Sequence, residues 1–309
     1  MPTSAPNPTT TLTGSSPQCS HQLLPKTTHA KVSRHLAHAG IVHSFKKGER
    51  DQPLDVQYRV NDLQFHFVSP ELCGGDDWRV LCALIALATA ENSKSADISQ
   101  PALDTEETDN FARLLRHTVS LKTNYAEIAR EAGYAPESGT PFRIRNSLKR
   151  WFATSVFVEK LGVSSSLDVE GHHILKELKA RDQGEKVELS FCPILSIAIL
   201  GVGGEFLRVD MTEFRRLTSD VSRLLHLRLH WINQGKFGRV GMDVLMNYAY
   251  KDDAPTSNAI KKRRQAVREA LEELRKNLNW TVEHTDRVYR IGRPPRMTKQ
   301  TPATSSTSS

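Results

Sequence analysis

The stretch that decides the fold is residues 256–293, TSNAIKKRRQAVREALEELRKNLNWTVEHTDRVYRIGR. Its first part has apolar residues at helical spacing, which predicts an amphipathic helix. The apolar stripe consists of Ile260, Val267, Leu271, Leu274 and Leu278. The opposite face carries Asn258, Lys261, Lys262, Gln265 and Arg268. We therefore expect a helix that buries one face and exposes a basic one.

The charges along this helix run against the helix dipole. Lysines and arginines occupy positions 261–264 in the front half, whereas Glu269, Glu272 and Glu273 lie further back. A helix dipole favours acidic residues near the N-terminus and basic residues near the C-terminus, so helix stability alone does not account for this order. A basic front end suits contact with phosphates. The alternative is a solvated basic face on an ordinary core helix.

The segments on either side of the helix complete a recognisable order. Two runs rich in β-prone residues, Trp280–Glu283 and Arg287–Ile291, follow the helix around a polar turn and predict a hairpin. Upstream, Met242–Tyr248 has helical spacing, and Thr256 or Ser257 can cap the basic helix. Helix, turn, basic helix and hairpin wing together indicate a winged-helix DNA-binding unit.

A weaker copy of this order lies earlier in the chain. Asn124 and Glu127 resemble a capping box, and Gly133 ends the helix that follows. Thr140 and Pro141 are expected to be the N-cap and first-turn residues of the next helix. The outer face of that helix carries Arg143, Arg145, Asn146 and Lys149. Strand patterns follow at Ser155–Leu161, His172–Leu178 and Lys186–Phe191.

The expected fold class is therefore α+β, with two tandem winged-helix domains between disordered N- and C-terminal tails. Residues 1–33 and 295–309 are rich in Thr, Ser and Pro, and they lack the large apolar groups that would offset the entropy of ordering. The first domain is predicted over 34–203 and the second over 204–294. Their boundary falls near Gly203, in a glycine cluster that breaks the chain.

Composition limits the function classes. The chain has 309 residues, a net charge of +7 and a pI near 9.2, which suits a polyanionic partner. Its 4 cysteines lie far apart and form no CxxC pair, so we expect reduced thiols in the cytoplasm. The longest apolar run, Val80–Ala88, is too short to cross a bilayer, and no export signal begins the chain. No membrane association is expected.

Taken together, these segments resemble the RepC replication initiators of IncQ-type plasmids. The resemblance extends from Arg34 to Pro294 and leaves out the tails. It is carried by Gly48-Glu49-Arg50 with Leu54-Asp55-Val56, Asp76–Ala88, Tyr125–Gly133, Arg223-Leu224-Leu225-His226 with Trp231-Ile232, and Lys262-Arg263-Arg264-Gln265 followed by Val267-Arg268-Glu269-Ala270-Leu271 and Trp280-Thr281-Val282. The last string is the most specific, because it combines residue identity with the spacing from helix to wing.

The resemblance implies a protein that binds directly repeated sequences, called iterons, in the double-stranded DNA of a plasmid origin. It further implies that the protein promotes opening of an adjacent AT-rich stretch and recruits the plasmid's own helicase and primase. A homodimer is a further assembly to be considered. Neither composition nor periodicity indicates the opening and recruitment steps.

Roles can be assigned to the basic helix and wing if that helix lies in a major groove. The side chains placed to reach base edges are Asn258, Lys261, Gln265 and Arg268, because Arg and Lys pair well with guanine and Asn and Gln with adenine. Phosphate contacts are expected from Lys262, Arg263, Arg264, Arg287 and Arg290. The earlier helix adds Arg143, Arg145, Asn146 and Lys149 as further candidates for DNA contact.

We expect no catalysis, cofactor or metal. His226 and His230 are four residues apart on a helix, but no HExxH glutamate and no third ligand accompany them. The glycines at 201–204 lack the Lys-Ser or Lys-Thr pair of a phosphate loop. Two rival functions remain. The first is a winged-helix transcriptional repressor, which would favour a palindromic operator. The second is a nicking or priming enzyme, which would need a tyrosine nucleophile with a histidine metal cluster or a metal-binding acidic site, and neither stands out in the sequence.

Overall fold

The computed structural model describes residues 24–45, 48–94, 118–161, 169–180, 186–204, 206–251, 256–285 and 288–295. The chain is a mixture of helices and antiparallel strands. The helices are α1 Arg34–His38, α2 Gly75–Lys94, α3 Tyr125–Ala132, α4 Thr140–Ala153, α5 Pro193–Leu200, α6 Met211–Arg215, α7 Asp220–Arg228, α8 Met242–Ala249 and α9 Ser257–Leu278. The strands are β1 His29–Ser33, β2 Leu54–Val60, β3 Leu63–Ser69, β4 Ser120–Asn124, β5 Ser155–Lys160, β6 Val169–His173, β7 Leu175–Ala180, β8 Lys186–Phe191, β9 Phe206–Asp210, β10 Phe237–Gly241, β11 Thr281–Thr285 and β12 Val288–Gly292.

Two sets of elements have the same order. The first set is α2, β4, α3, α4 and the hairpin β7–β8, and the second is α7, β10, α8, α9 and the hairpin β11–β12. In each set the lone strand pairs with the second strand of the hairpin, which gives sheets in the orders β4-β8-β7 and β10-β12-β11. The repeated order includes a strand before the paired helices, which the sequence analysis did not predict.

The remaining strands form two further sheets. The hairpin β5–β6 lies between α4 and β7 in sequence, and it extends the hairpin β2–β3 into a four-stranded sheet in the order β2-β3-β5-β6. Strands β1 and β9 pair with each other, from His29 opposite Asp210 to Ser33 opposite Phe206. This pairing fixes the start of the described chain against a segment that follows the glycine cluster.

The apolar side chains form two cores that meet on α7. The first core is built around α2, with Trp78 and Trp151 fully buried in it. The second core surrounds the apolar stripe of α9. Helix α7 supplies Leu224 to the first core and Leu225 to the second. One helix therefore packs on both halves of the molecule.

Local capping chemistry agrees with several sequence predictions. The Asn124 side chain accepts a hydrogen bond from Glu127 N at 2.8 Å, and Gly133 ends the helix at a φ of 71°. Thr256 caps α9 by accepting from Ala259 N at 3.2 Å. These predictions are confirmed. Each depends on residues only a few positions apart, so the local sequence is enough to indicate it.

Three predictions need correction. Thr140 does not cap α4: the helix begins at Thr140, with Gly139 at the N-cap, and the Thr140 hydroxyl donates to Ala135 O instead. The predicted strand His172–Leu178 divides into β6 and β7 at Ile174, whose N–H bonds Thr154 O. Strand β1 lies inside the expected N-terminal tail, because Ala30 and Val32 are buried in the first core. Residues 1–23 and 296–309 of the expected tails lie outside the described residues.

Candidate nucleic-acid interface

Helix α9 has the two faces that its sequence predicts. Val267, Ala270, Leu271, Leu274 and Leu278 are buried against the second core. The polar side chains on the other side are all exposed, namely Asn258, Lys261, Lys262, Gln265 and Arg268. Gln265 Nε2 donates to Glu269 Oε1 at 2.9 Å, one helical turn further on. The face that could enter a groove is therefore open to solvent and mostly basic.

Two of the expected phosphate ligands lie at the margins of that face. The Arg263 guanidinium is half-buried and lies 4.6 Å from the centre of the Tyr250 ring. Arg264 Nη2 lies 3.4 Å from Asp243 Oδ1 on α8. Both arginines therefore also help to attach the start of α9 to the segment before it. Their contact with phosphates stays a prediction.

The acidic residues in the back half of α9 have partners within the protein. Glu273 accepts hydrogen bonds from Thr218 N, from the Thr218 hydroxyl at 2.9 Å and from Ser219 N at 3.4 Å. Glu272 pairs with Arg275 and Lys276, and the hydrogen bond from Arg275 lowers the pKa of Glu272 to about 2. The charge order of the helix thus has a structural reason that does not require DNA, and contact of its front end with phosphates stays a prediction.

Two arginines lie close together on the sheet that contains the hairpin beside α9, Arg290 on β12 and Arg239 on β10. Arg290 donates to Glu283 Oε2 at 2.8 Å, and its guanidinium lies 4.0 Å from the centre of the Phe237 ring. Arg239 on β10 is exposed and lies opposite Arg290 in the strand register. Arg239 was not among the predicted site residues, because its strand is short and contains two glycines and so gives a weak strand pattern. Arg287 lies outside the described residues.

The earlier basic helix, α4, is less open. Arg143 and Lys149 are exposed, but Arg145 and Asn146 are only half-exposed. Arg143 Nη1 lies 3.6 Å from Glu137 Oε2. Asn146 and Lys149 also border a cavity of about 360 Å³ together with Glu71. The candidate residues of α4 are thus divided between two places, with Arg143 beside Glu137 and with Asn146 and Lys149 beside Glu71.

A buried ion cluster fastens the end of α4 to the start of α2. Arg150 donates to Asp77 Oδ1 from Nε at 2.9 Å and from Nη2 at 2.6 Å, and Arg50 donates to Asp77 Oδ2 at 2.7 Å. Gly74 N also donates to this carboxylate at 2.8 Å. Burial raises the pKa of Asp77, but the hydrogen bonds and charge of Arg150 outweigh it and hold the pKa below its usual value. Arg150 is therefore a structural residue.

His226 on α7 and His230, two residues beyond the end of that helix, lie in the interior. His226 Nε2 is 2.9 Å from Glu213 Oε2, and His230 Nδ1 is 2.6 Å from His226 O. Burial, followed by the charge of Arg293, lowers the pKa of His226 to about 3. Burial likewise lowers the pKa of His230 well below its ordinary value. Both rings are therefore neutral at pH 7. Within the described ranges, no group of three or more metal-ligating side chains is arranged around a common point.

None of the described helices combines the length and the apolarity that a bilayer-spanning segment requires. Cys73, Cys82 and Cys192 are buried free thiols, and burial raises the pKa of Cys192 to about 11. Cys19 lies outside the described residues.

Comparisons with known proteins agree with this architecture. The family model of replication protein C (RepC) matches residues 24–295. No curated protein matches the chain. Domains 2 and 3 of RctB superpose with a TM-score of 0.53 at 12% identity, over 81% of this chain and 93% of that one. The Pi initiator protein, solved in complex with iteron DNA, gives a TM-score of 0.48 at 16% identity, over 86% of this chain and 96% of that one. The mixed α/β fold is thus similar to that of the RctB domains.

Proposed function

The chain belongs to the replication protein C family, and on that premise we propose that it initiates plasmid replication by binding direct repeats in double-stranded origin DNA. The observation that carries the proposal is the exposed basic face of α9 beside the hairpin β11–β12, which carries Arg290. A helix N-terminal region that reaches base edges, with a neighbouring hairpin on the backbone, is a known way of reading duplex DNA.

The proposal includes two winged-helix domains, 34–203 and 204–294. The repeated order of helix, strand, two helices and hairpin supports both, as does the fold similarity to the RctB domains. Strand β9 follows the proposed boundary in sequence, yet it pairs with β1 of the first half. A segment of the proposed second domain therefore packs on the first half.

We assign base contacts in the second domain to Asn258, Lys261, Gln265 and Arg268, which share the exposed face of α9. Phosphate contacts are assigned to Lys262, Arg263, Arg264, Arg287 and Arg290, with Arg239 added because it lies opposite Arg290. Arg143, Arg145, Asn146 and Lys149 make a smaller contribution from α4, since acidic side chains lie beside them.

Further steps of the proposal rest on the family. Bound protein opens an adjacent AT-rich stretch and recruits the plasmid's helicase and primase in the cytoplasm, without catalysis of its own. Because two DNA-binding domains cover successive turns, the repeats are expected to recur at about two helical turns, on the order of 20 base pairs. A second copy of the chain is a candidate partner in a homodimer.

The test is footprinting of the purified protein on candidate origin DNA at two salt concentrations. Arg268→Ala is compared with Arg275→Ala, because Arg275 is also exposed on α9 but is paired with Glu272 in its last turns. We expect protection of direct repeats that weakens in Arg268→Ala and persists in Arg275→Ala. Protection of a single palindrome would favour a repressor, and the absence of any protected site would overturn the proposal.

A further inference from the structure

A second basic site lies at the junction of the two halves. A cavity of about 360 Å³ opens between the end of α3, the start of α4 and the segment that leads into α7. Four arginines border it, namely Arg79, Arg143, Arg215 and Arg223. Among the described residues that line the cavity, Glu137 is the only acidic one. The charge of this lining favours an anion.

The hydrogen bonds of these arginines explain their positions. Arg215 donates to Glu131 Oε2 at 2.8 Å and to Thr27 O at 2.9 Å, so an acidic partner neutralises it. Arg79 instead donates to the backbone carbonyls of Ala132 and Gly133 at the end of α3. Because carbonyl groups carry no net charge, these two bonds orient Arg79 without neutralising its guanidinium. The carboxylates of Asp76 and Asp220 offset part of its charge, and the guanidinium lies 4.0 Å from the centre of the Tyr134 ring.

The arginines also act on one another. Burial lowers the pKa of Arg79, and the nearby charge of Arg223 lowers it further. Arg223 donates to Leu217 O at 2.8 Å and to Asp220 Oδ1 at 3.2 Å. Its Nε is buried, and no described residue accepts a hydrogen bond from it. A bound anion would reduce the repulsion between these two guanidinium groups.

The N-terminus of α4 adds the positive end of a helix dipole to the lining of the cavity. Thr140 borders the cavity, and it is the first residue of this helix. The first turn contains no acidic residue, and the N-cap Gly139 supplies no side-chain hydrogen bond. The N–H groups of a helix start attract anions, and phosphates are common occupants of such positions. Arg143 in the same turn directs a second donor group to this region.

We propose that this arginine-lined cleft binds a phosphate group, and that in the DNA complex the group is a backbone phosphodiester between the segments bound by α4 and α9. This inference rests on the proposed function and extends it. Thr218 borders the cleft and is bound by Glu273 of α9, so the occupant contacts a segment that is attached to both domains. A free phosphate is the other source of the same chemistry.

The test introduces a charge without removing any arginine. Ala135 borders the cleft and is exposed, so a longer side chain can be placed there. Ala135→Glu puts a carboxylate beside the arginines, and Ala135→Gln is its neutral control of nearly the same size. Binding to a direct-repeat duplex is measured by fluorescence anisotropy at several salt concentrations. The duplexes carry single methylphosphonates, each of which removes one phosphate charge.

We expect Ala135→Glu to weaken binding to all sequences at least tenfold and to reduce the salt slope by about one, whereas Ala135→Gln stays within twofold of the parent protein. One methylphosphonate, between the two base-contacting segments, should weaken the parent and have no effect on Ala135→Glu. Equal affinities of the two variants, or the same methylphosphonate pattern in both, would overturn the assignment to DNA.

Calorimetric titration with inorganic phosphate, without DNA, separates the two sources. Phosphate binding that Ala135→Glu abolishes, combined with unchanged DNA affinity, would show a phosphate site that takes the free ion and overturn the DNA part of the inference. If neither phosphate nor DNA distinguishes the variants, the cleft is not a phosphate site. A parent protein that binds no direct repeat would instead contradict the proposed function, and the phosphate titration would still test the cleft.

Discussion

The two basic helices are held in the protein in different ways. Helix α4 is fastened at its end by the buried pair of Arg150 and Asp77, and part of its polar face is half-buried. Helix α9 is fastened by an apolar stripe, and its outward polar residues are all exposed. We therefore expect the two helices to differ in their use although both are basic, because an arginine that binds a buried carboxylate is not available to DNA. Variants that affect one helix and spare the other test this contrast.

The largest effect is expected from Asp77→Ala. This change leaves Arg50 and Arg150 without their shared carboxylate in the interior, which costs about 3–5 kcal/mol of folding free energy. Urea unfolding followed by circular dichroism measures it. Asp76→Ala removes the neighbouring exposed carboxylate and should cost less than about 1 kcal/mol. Similar losses in both variants would show that the buried cluster does not fasten α4.

The same carboxylate has a defined pH dependence. Since the pKa of Asp77 is lower in the folded than in the unfolded chain, its contribution is fully present above the unfolded value of about 4 and is lost as the pH falls through the folded value. Asp77→Ala should therefore show a shallower fall in stability on acidification below pH 4 than Asp76→Ala does.

On DNA, the larger effect is expected in α9. Arg268→Ala should cost about 1–3 kcal/mol of binding free energy if Arg268 pairs with a base, and the loss should be concentrated at one base position. Lys149→Ala, the matched change on α4, should reduce affinity less and equally for all sequences, because Glu71 borders the same cavity. Anisotropy with single-base variants of the repeat measures both. A greater loss in Lys149→Ala would reverse the assignment of the two helices.

Acidification should lower the free energy of unfolding through two buried histidines near the place where the two cores meet. The pKa values of His226 and His230 are lower in the folded protein than the ordinary value, so the unfolded chain takes up protons first as the pH falls below 6.5. Each ring then removes up to about 1.4 kcal/mol of stability per pH unit. Thermal unfolding between pH 7 and 5 measures the loss. His284→Gln, at an exposed histidine, should leave the slope unchanged, and a flat profile in the parent would contradict the prediction.

The smallest effect is expected at the start of α9. Thr256→Ala removes the side chain that accepts from Ala259 N and should cost about 1 kcal/mol. Ser257→Ala changes the next, exposed residue and should cost much less. Differential scanning calorimetry compares them. Equal melting temperatures would mean that packing alone fixes the helix start.

Local chemistry made much of the fold predictable. The caps at Asn124 and Thr256 and the stripe of α9 involve residues only a few positions apart, so the sequence indicates them directly. The pairing of β1 with β9 joins residues about 180 positions apart, and no local pattern specifies such a partner. Strand β10 is short and contains two glycines, which weakens the strand pattern.

The candidate interface was predictable to a similar degree. The exposed face of α9 follows from helical periodicity, because every outward position is set by the buried stripe. Periodicity does not show which arginine meets a carboxylate from another element, as Arg150 meets Asp77 and Arg264 meets Asp243. It also gives no indication of the arginine cleft, whose members come from four separate parts of the chain.

Helix α7 contributes to both cores and therefore links the two halves of the molecule. Helix α7 packs on α2 in one half and on α9 in the other, so packed helices fix the relative position of the two halves. If α4 and α9 both contact DNA as proposed, binding should depend on the spacing between the two contacted segments as well as on their sequence. Inserting about 5 base pairs, half a turn, inside a repeat would rotate one contacted segment to the far side of the duplex while leaving every contacted base intact.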